Sequence, residues 1–321
     1  MDQRVIYSLM NAHNVYGEEK MEDKSLPLIT VITPTYKSNP KYLFEAIESV
    51  LIQTYPHIEY IITDDGSDNF PEKEIIEYLE RNNRGNIRYK IIRNANNIGT
   101  VKNLNGALKR AKGDYIFYLA HDDLYYNPEI ISMRVSHFQE TGALVTIGLV
   151  EAVSFDLTTI RGILPSNETI HNLQTMSSKE LLEDMWFTNK LIGATFAFSS
   201  EYFNLYGLYE EKFIVIEDQG MIYRSLKNDV KIVLWNNIAI RWRVDPTDKL
   251  DRYTTNIICI LDSINIEKDK LDYFTGLKKI LLLLNLQRLK LKYCLLCQSP
   301  RWGILFKFIE GFIQNRMHAF G

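Results

Sequence analysis

Residues 27–149 alternate short apolar, β-branched runs with longer segments whose apolar side chains recur at helical spacing. This alternation restricts the fold most, because strand, helix and strand in succession form parallel strand pairs with right-handed crossovers. The runs predict strands at 28–33, 58–63, 87–92 and 114–120, and the segments between them predict helices at 42–51, 72–81 and 101–111. Further β-like segments follow at 143–153, 189–199 and 230–234. We therefore expect a three-layer α/β fold, with helices on both faces of a mostly parallel central sheet.

Polar clusters follow three of the predicted strands at the points where the strands end. They are residues 34–36, 64–65 and 121–123, and two of them contain adjacent aspartates. Ligands of such folds bind where the carboxyl ends of parallel strands meet, at one edge of the sheet. The sequence therefore predicts a binding site in which the three clusters converge.

Asp122 and Asp123 are adjacent carboxylates that follow an aromatic and apolar run. A divalent cation would relieve their repulsion and desolvation, and Mg²⁺ or Mn²⁺ takes carboxylate and phosphate oxygens as ligands. The alternative is a solvated cap between strand and helix, for which Asp123 and Asn127 have suitable side chains. His121, beside the pair, is interpreted as a phosphate contact or as a wall of the pocket.

Two further acidic pairs also have two interpretations each. Asp64-Asp65 can accept a hydrogen bond from a base or a ribose, or it can cap the helix that begins near Pro71. Glu217-Asp218 lies between an apolar run and a predicted helix, where a carboxylate in a partly apolar cleft can act as general base toward an alcohol. The alternative for this second pair is a charge that stabilises a helix N-terminus.

The composition is that of a soluble globular protein of 321 residues, with 46% hydrophobic and 24% charged residues. A net charge of −3 gives no argument for nucleic-acid binding, and we expect no nucleic-acid partner. Three cysteines predict no disulfide framework. The C-x-x-C pair Cys294 and Cys297 is interpreted as buried packing residues, with a metal or redox role as the alternative. The sequence has neither a signal-peptide core nor an apolar run of about 20 residues, so we expect the chain in the cytoplasm or on a membrane surface.

Taken in order and spacing, the motifs resemble those of the family 2 glycosyltransferases with the GT-A fold. The matching segments are 31–36, 46–55, 64–68, 97–99, 113–116 and 121–123, followed by Glu217-Asp218. The resemblance extends over about residues 27–244 and implies a Rossmann-like three-layer sandwich. It divides the chain into an N-terminal extension (1–26), a nucleotide-sugar-binding catalytic domain (27–248) and a helical, basic and apolar C-terminal extension (249–321).

The resemblance also implies a nucleotide-binding role for several residues that match family motifs. Pro34, Tyr36 and Asp65 would line the nucleotide pocket, with Tyr36 stacking on the base and Asp65 accepting a hydrogen bond from it. Lys102, where the family usually has arginine, would approach the base or the diphosphate. Arg243 lies where relatives have a loop arginine and would contact the diphosphate, although Asp245 stands where they have histidine.

The catalytic roles implied by the resemblance belong to two acidic pairs. Asp123 would bind Mn²⁺ or Mg²⁺, and Asp122 would contact the metal, the ribose or the donor sugar. Asp218 would be the general base, with Glu217 beside it, so that in-line attack inverts the anomeric carbon without a covalent intermediate. Ala120 stands where many relatives have an acidic residue, which leaves metal binding to fewer protein ligands.

The implied function is transfer of a sugar from a nucleotide diphosphate donor, usually a UDP-sugar in this family, to an acceptor hydroxyl. The family's usual acceptors predict a glycan or a lipid-linked glycan of bacterial surface polysaccharide assembly in the cell envelope. Two alternatives stay open: a catalytically silent GT-A scaffold that only binds, and a sugar nucleotidyltransferase. The second needs a glycine-rich basic loop after the first strand, and residues 34–36 offer none.

Basic and apolar side chains are interleaved between residues 278 and 320, around a single acid, Glu310. This pattern predicts an interfacial helix on the inner face of the cell membrane, where basic residues bind anionic lipid. The alternative is a helical appendage that packs on the catalytic domain or on a second copy of the chain in a homo-oligomer.

Overall fold

The protein is described by a computed structural model that covers residues 26–186, 189–244 and 256–298. Its strands are β1 (Ile29–Thr35), β2 (Ile58–Asp64), β3 (Ile87–Arg93), β4 (Tyr115–Tyr118), β5 (Leu124–Tyr125), β6 (Val145–Val153), β7 (Ile160–Leu164), β8 (Phe196–Ser199) and β9 (Ile232–Arg243). Its helices are α1 (Pro40–Leu51), α2 (Glu72–Asn82), α3 (Thr100–Leu108), α4 (Ile130–Thr141), α5 (Asn167–Thr175), α6 (Ser178–Asp184), α7 (Ser200–Tyr206), α8 (Glu217–Lys227), α9 (Ile257–Leu271) and α10 (Gly276–Gln298). Predictions for residues 1–25, Asp245 and 299–321 lie outside the described residues.

The strands form one mixed sheet in the order β3-β2-β1-β4-β8-β6-β9-β5, with β7 paired to β6. β3, β2, β1 and β4 are mutually parallel, as the strand and helix alternation predicts. β8 pairs antiparallel with β4 and β6, whereas β6 and β9 are parallel. The carboxyl ends of β1, β2 and β4 consequently lie at one edge of the sheet, and apolar cores fill both of its faces.

The first strand and helix show how local sequence forms these elements. β1 is buried along nearly all of its length and is built mostly of β-branched residues, as suits a parallel strand covered on both faces. The Asn39 side chain accepts a hydrogen bond from the Lys41 amide, and Pro40 occupies the first turn of α1. The apolar stripe of α1 is buried against the sheet, so the polar residues that follow β1 are held at the sheet edge.

Two predicted segments in the second half of the chain differ in extent from the observed strands. The β-like segment 189–199 is a strand only at Phe196–Ser199, because a 3₁₀ turn occupies Gly193–Thr195. The strand predicted at 230–234 is β9, which runs to Arg243 and pairs with buried β6. Hydrogen bonding to β6 carries β9 through a polar stretch, so Arg243 ends a strand and does not lie in a loop.

α9 and α10 form a helical pair at the end of the described chain. Ile266, Phe274 and Leu282 belong to one core with residues of the α/β domain, so this part of the C-terminal extension packs on that domain. The outer side of α10 remains apolar and exposed, with Leu277 71% and Leu284 62% exposed. Among the residues that the structure describes, none of the helices is long and apolar enough to span a bilayer. Association with a membrane surface stays a prediction.

The interpretation of Cys294 and Cys297 as packing residues is wrong, because both are exposed. The buried side of α10 contains Leu286, Leu289 and Leu296 instead. A 23-residue helix with apolar residues on most sides does not reveal from its pattern which side faces the core.

Candidate functional site

A cavity of about 480 Å³ lies between the carboxyl ends of β1 and β4 and the start of α8. Acidic side chains line it from two regions of the chain, with Asp122 and Asp123 following β4 and Glu217 and Asp218 beginning α8. Pro34 also contributes to the lining. The rest of the wall is largely apolar or aromatic and includes Leu104, Tyr118, Leu191, Phe196, Phe198, Tyr209 and Trp242. The fold therefore brings the predicted metal pair and the predicted base pair into one cavity.

Asp65, at the carboxyl end of β2, is 3% exposed and holds the loop that precedes α3. Its Oδ1 accepts hydrogen bonds from the Ile98 amide at 2.9 Å and from Asn94 Nδ2 at 3.1 Å, and its Oδ2 accepts one from the Gly99 amide at 2.9 Å. Gly99 has φ +91°, and a Cβ there would lie 2.8 Å from Ile214 Cγ2, so the loop requires glycine. Carboxylate oxygens have further lone pairs, and Asp65 retains capacity to accept a hydrogen bond from a ligand.

The capping interpretation of the 64–65 pair is wrong, because neither carboxylate caps α2, which begins without a side-chain cap. Asp64 instead accepts hydrogen bonds from the Ser67 amide at 2.9 Å and the Ser67 hydroxyl at 2.6 Å. Tyr36 is 40% exposed and Lys102 is exposed on α3, and neither is among the residues that line the cavity. Their contacts with a nucleotide stay predictions.

Asp123 is 1% exposed, so its interpretation as a solvated cap is wrong; β5, not a helix, follows it. Its Oδ1 accepts a hydrogen bond from the Arg243 amide at 3.1 Å. Burial and, second, the charge of Asp122 raise the pKa of the Asp123 carboxyl well above its usual range, against a smaller opposing effect of Arg243. The ionised form of Asp123 is thus incompletely compensated by the protein and would be stabilised by a cation.

These two acids fit a metal that is shared with a diphosphate. Within residues 26–186, 189–244 and 256–298, no group of three or more His, Cys, Asp or Glu side chains could hold an ion by itself. Asp122 and Asp123 nevertheless supply hard oxygen donors at the cavity wall, and Mg²⁺ or Mn²⁺ needs few protein ligands when phosphate oxygens complete its coordination.

Arg243 supports the Asp122-Asp123 turn from within the protein. Its fully buried guanidinium donates to the Glu45 carboxylate, to the Asp122 carbonyl oxygen and, from Nε at 3.1 Å, to the Phe155 carbonyl oxygen. The guanidinium also lies 4.7 Å from the ring centroid of Tyr42. These partners use most of its donors, and its predicted contact with a diphosphate stays a prediction.

Glu217 and Asp218 occupy the first turn of α8, the position that the helix N-terminus interpretation requires, and both also line the cavity. Asp218 Oδ1 accepts a hydrogen bond from the Gln219 amide at 2.7 Å, and burial raises the pKa of the Asp218 carboxyl. Burial, followed by the charges of Asp218 and Asp262, raises the pKa of Glu217 to about 8. At neutral pH Glu217 therefore keeps its proton.

The sequence reasoning missed three residues around this pair. Gly193 lies so close to Asp218 that a Cβ would be 2.5 Å from Asp218 Oδ2, and Trp242 lines the cavity from β9. Asp262 of α9 contacts the segment before Glu217 and contributes to its raised pKa. Gly193 and Asp262 belong to no local motif, so only the tertiary structure could identify them.

Fold and site together define an α/β protein that gathers acidic side chains around a cavity at the carboxyl ends of parallel strands, where such folds bind nucleotides. The family model described as Glycosyl transferase family 2 matches residues 30–205. The chain belongs to this family. The match confirms the predicted family and supports the predicted enzyme class.

Similar proteins agree with this assignment. An uncharacterized glycosyltransferase of Rickettsia felis is 29% identical over 205 residues, which cover 63% of this chain and 32% of that protein. S. aureus TarS 1–349 in complex with UDP-GlcNAc is 20% identical with a TM-score of 0.58, covering 79% of this chain and 69% of the other. Mannosyltransferase PcManGT from Pyrobaculum calidifontis, in complex with GDP-Man and Mn²⁺, is 16% identical with a TM-score of 0.56, covering 88% of this chain and 73% of the other. The chain thus spans about a third of the length of the Rickettsia relative, and the two structures confirm the GT-A fold.

Proposed function

We propose that this protein is an inverting glycosyltransferase that moves a sugar from a nucleotide diphosphate donor, a UDP-sugar first of all, to an acceptor hydroxyl. The observation that carries the proposal is the convergence of Asp122, Asp123 and Asp218 on one cavity of about 480 Å³. A metal-compatible acidic pair and a desolvated carboxylate in the same cavity are what a metal-assisted transfer with a general base needs.

The donor side of the cavity would bind the nucleotide diphosphate. Pro34, Tyr36, Asp65 and Lys102 would contact the nucleoside and its phosphates, by the family resemblance. Two proteins of the same fold support this donor class, since they are described in complex with UDP-GlcNAc and with GDP-Man and Mn²⁺.

Asp123, with Asp122, would hold Mn²⁺ or Mg²⁺. When bound, the ion would neutralise the negative charge that develops on the diphosphate leaving group. Arg243 would keep the Asp122-Asp123 turn in place through its bond to the Asp122 carbonyl oxygen.

Asp218 would act as the general base. Its carboxylate would take the proton from the acceptor hydroxyl while the hydroxyl oxygen forms a bond to the anomeric carbon. The bond from that carbon to the diphosphate oxygen breaks at the same time, and its electron pair leaves with the diphosphate. Attack from the face away from the leaving group inverts the anomeric configuration. Glu217, protonated at neutral pH, would add no negative charge beside Asp218.

The acceptor would be a glycan or a lipid-linked glycan of surface polysaccharide assembly. The exposed apolar side of α10 and its basic residues are compatible with contact to an anionic membrane surface at the cytoplasmic side. Flotation of the full chain with anionic liposomes at low salt tests this part separately, and failure to float would leave α10 as a packing element only.

The donor site is tested by isothermal titration of the protein with UDP, with and without Mn²⁺. We expect metal-dependent binding that weakens at least about tenfold in Asp123→Ala, because the variant loses a metal ligand. Glu140→Ala, which removes an exposed carboxylate on α4, is the matched control and should bind as the wild type does.

Binding of another nucleotide diphosphate in place of UDP would keep the mechanism and change only the donor. If no nucleotide diphosphate binds with Mn²⁺ or Mg²⁺, the transferase proposal fails. The chain would then be a GT-A scaffold without catalytic function.

A further inference from the structure

Asp262 of α9 is 0% exposed and contacts the chain segment that leads into α8. Its Oδ2 accepts hydrogen bonds from three successive backbone amides, those of Ile214 at 2.9 Å, Val215 at 2.8 Å and Ile216 at 3.0 Å. Its Oδ1 also accepts from the Ile214 amide, at 3.0 Å. One carboxylate from the C-terminal helical pair thus orients the three residues immediately before Glu217.

The hydrogen bonds to Asp262 are strong, and their loss is costly. Hydrogen bonds from backbone amides to a charged acceptor are shorter and stronger than neutral ones, and they gain further strength away from water. Without Asp262, the amides of the partly buried Val215 and the buried Ile216 would lose their acceptor, and both residues line the cavity. The segment would then relax, and Glu217 and Asp218, which follow it directly, would move with it.

The same segment also contacts the donor side of the cavity. The Ile214 carbonyl oxygen accepts a hydrogen bond from the Val101 amide at 3.1 Å, in the first turn of α3. Ile214 Cγ2 packs where a Cβ on Gly99 would lie, and the Gly99 amide is bound by Asp65. Asp262 is therefore linked through Ile214 to the loop that Asp65 holds.

We propose that Asp262 is a positioning residue for catalysis: its carboxylate holds residues 214–216 so that the Asp218 carboxylate meets the acceptor hydroxyl. This inference rests on the proposed transferase function. It assigns to the C-terminal helices a part in the active site, although Asp262 does not line the cavity itself.

A purely structural role would lower stability and leave the turnover of folded molecules unchanged, so the test separates the two. Asp262→Ala removes all four hydrogen bonds, and Asp262→Asn retains one carbonyl oxygen as acceptor. Asp269→Asn is the matched control, because Asp269 lies on the same helix and bonds Lys212 of the same region through an ion pair at 2.7 Å.

The measurement is steady-state transfer or donor hydrolysis, with kcat and the donor KM determined separately and normalised to folded protein. We expect kcat to fall about 10- to 100-fold in Asp262→Ala, as for misplacement of a reacting group by about 1 Å, with an intermediate loss in Asp262→Asn. The donor KM should change by less than about threefold, because the nucleotide contacts remain, and Asp269→Asn should resemble the wild type. A normal kcat per folded molecule in Asp262→Ala, or a rise in KM without loss of kcat, overturns the proposal.

Hydrogen exchange of the amides at 214–216 provides a readout that does not need activity. Exchange there should be faster in Asp262→Ala and unchanged in Asp269→Asn. If the wild type binds no nucleotide diphosphate, the transferase function fails and the catalytic role of Asp262 fails with it, whatever the exchange result. If the wild type is active and exchange at 214–216 is unchanged in Asp262→Ala, only the role of Asp262 is overturned.

Discussion

Two loop segments are each held by a buried carboxylate, and the two carboxylates come from different parts of the chain. On the donor side, Asp65 accepts the successive amides of Ile98 and Gly99, and all three residues lie in the β2 to α3 region. On the acceptor side, Asp262 accepts the amides of residues 214–216 from a helix beyond the α/β sheet. One half of the site is therefore built within the first crossovers, and the other depends on the C-terminal helices.

Asp65 and Asp218 also differ in their surroundings. Asp65 has its carboxylate satisfied by three protein donors, as suits a residue that shapes a binding loop. Asp218 lines the cavity and accepts a hydrogen bond from the Gln219 amide at 2.7 Å. Burial raises the pKa values of both Asp218 and Glu217, against a lowering effect of backbone hydrogen bonds to Asp218 that include the one from Gly193. A carboxylate that is kept under-solvated accepts a proton more readily than a well-solvated one, which is what a general base requires. The comparison shows that Asp65 holds a loop from outside the cavity, whereas Asp218 lies in the cavity wall with its pKa raised by burial.

The largest effect is expected for Asp218→Asn, which should lower kcat and leave nucleotide binding nearly unchanged. Because the amide cannot take a proton from the acceptor, we expect kcat to fall about 10²- to 10⁴-fold. The Kd for UDP with Mn²⁺ should stay within about threefold of the wild-type value, since the donor side is untouched. Single-turnover transfer and isothermal titration measure the two effects, and retention of kcat would move the base to another residue.

Asp65→Ala should instead weaken nucleotide binding. The variant loses a charged acceptor for the amides of Ile98 and Gly99, and hydrogen bonds to charged groups each contribute about 1.5–3 kcal/mol. We expect nucleotide affinity to fall about tenfold or more and the Tm to decrease, with Asp65→Asn intermediate. Unchanged affinity alongside a lower Tm would restrict Asp65 to a structural role.

Glu217→Gln should show the smallest effect, on stability and its pH dependence. The folded-state pKa of Glu217 is about 8, above the ordinary value of 4.5, so the unfolded chain holds fewer protons between these values. Because of this group, the free energy of unfolding of the wild type decreases as the pH rises from about 4.5 to about 8. Glutamine does not titrate, so the variant lacks this decrease. We expect Glu217→Gln to gain about 2–4 °C in Tm at pH 8 and nothing at pH 5, by calorimetry. An equal gain at both pH values would mean that the raised pKa is not its cause.

Much of the fold could be predicted because its signals are local. β1, β2 and β3 end at most two residues from their predicted ends, since β-branched runs and the turn residues after them mark each boundary. The acidic clusters were predicted to converge because parallel strands must place their carboxyl ends together. The extent of β9 could not be predicted, since its pairing with β6 overrides a polar stretch that reads as loop.

The sequence by itself determined the parallel sheet, the acidic pairs at its edge and, through its ordered motifs, the family. These properties follow from residue types and from the periodicity of apolar side chains, and both are visible within about ten neighbouring positions. Tertiary structure alone decided that Arg243 is buried beneath the Asp122-Asp123 turn, that Gly193 adjoins Asp218, and that Asp262 holds the segment before α8. Burial and charge compensation are properties of what the fold packs around a residue, and partners far away along the chain leave no trace in its local pattern.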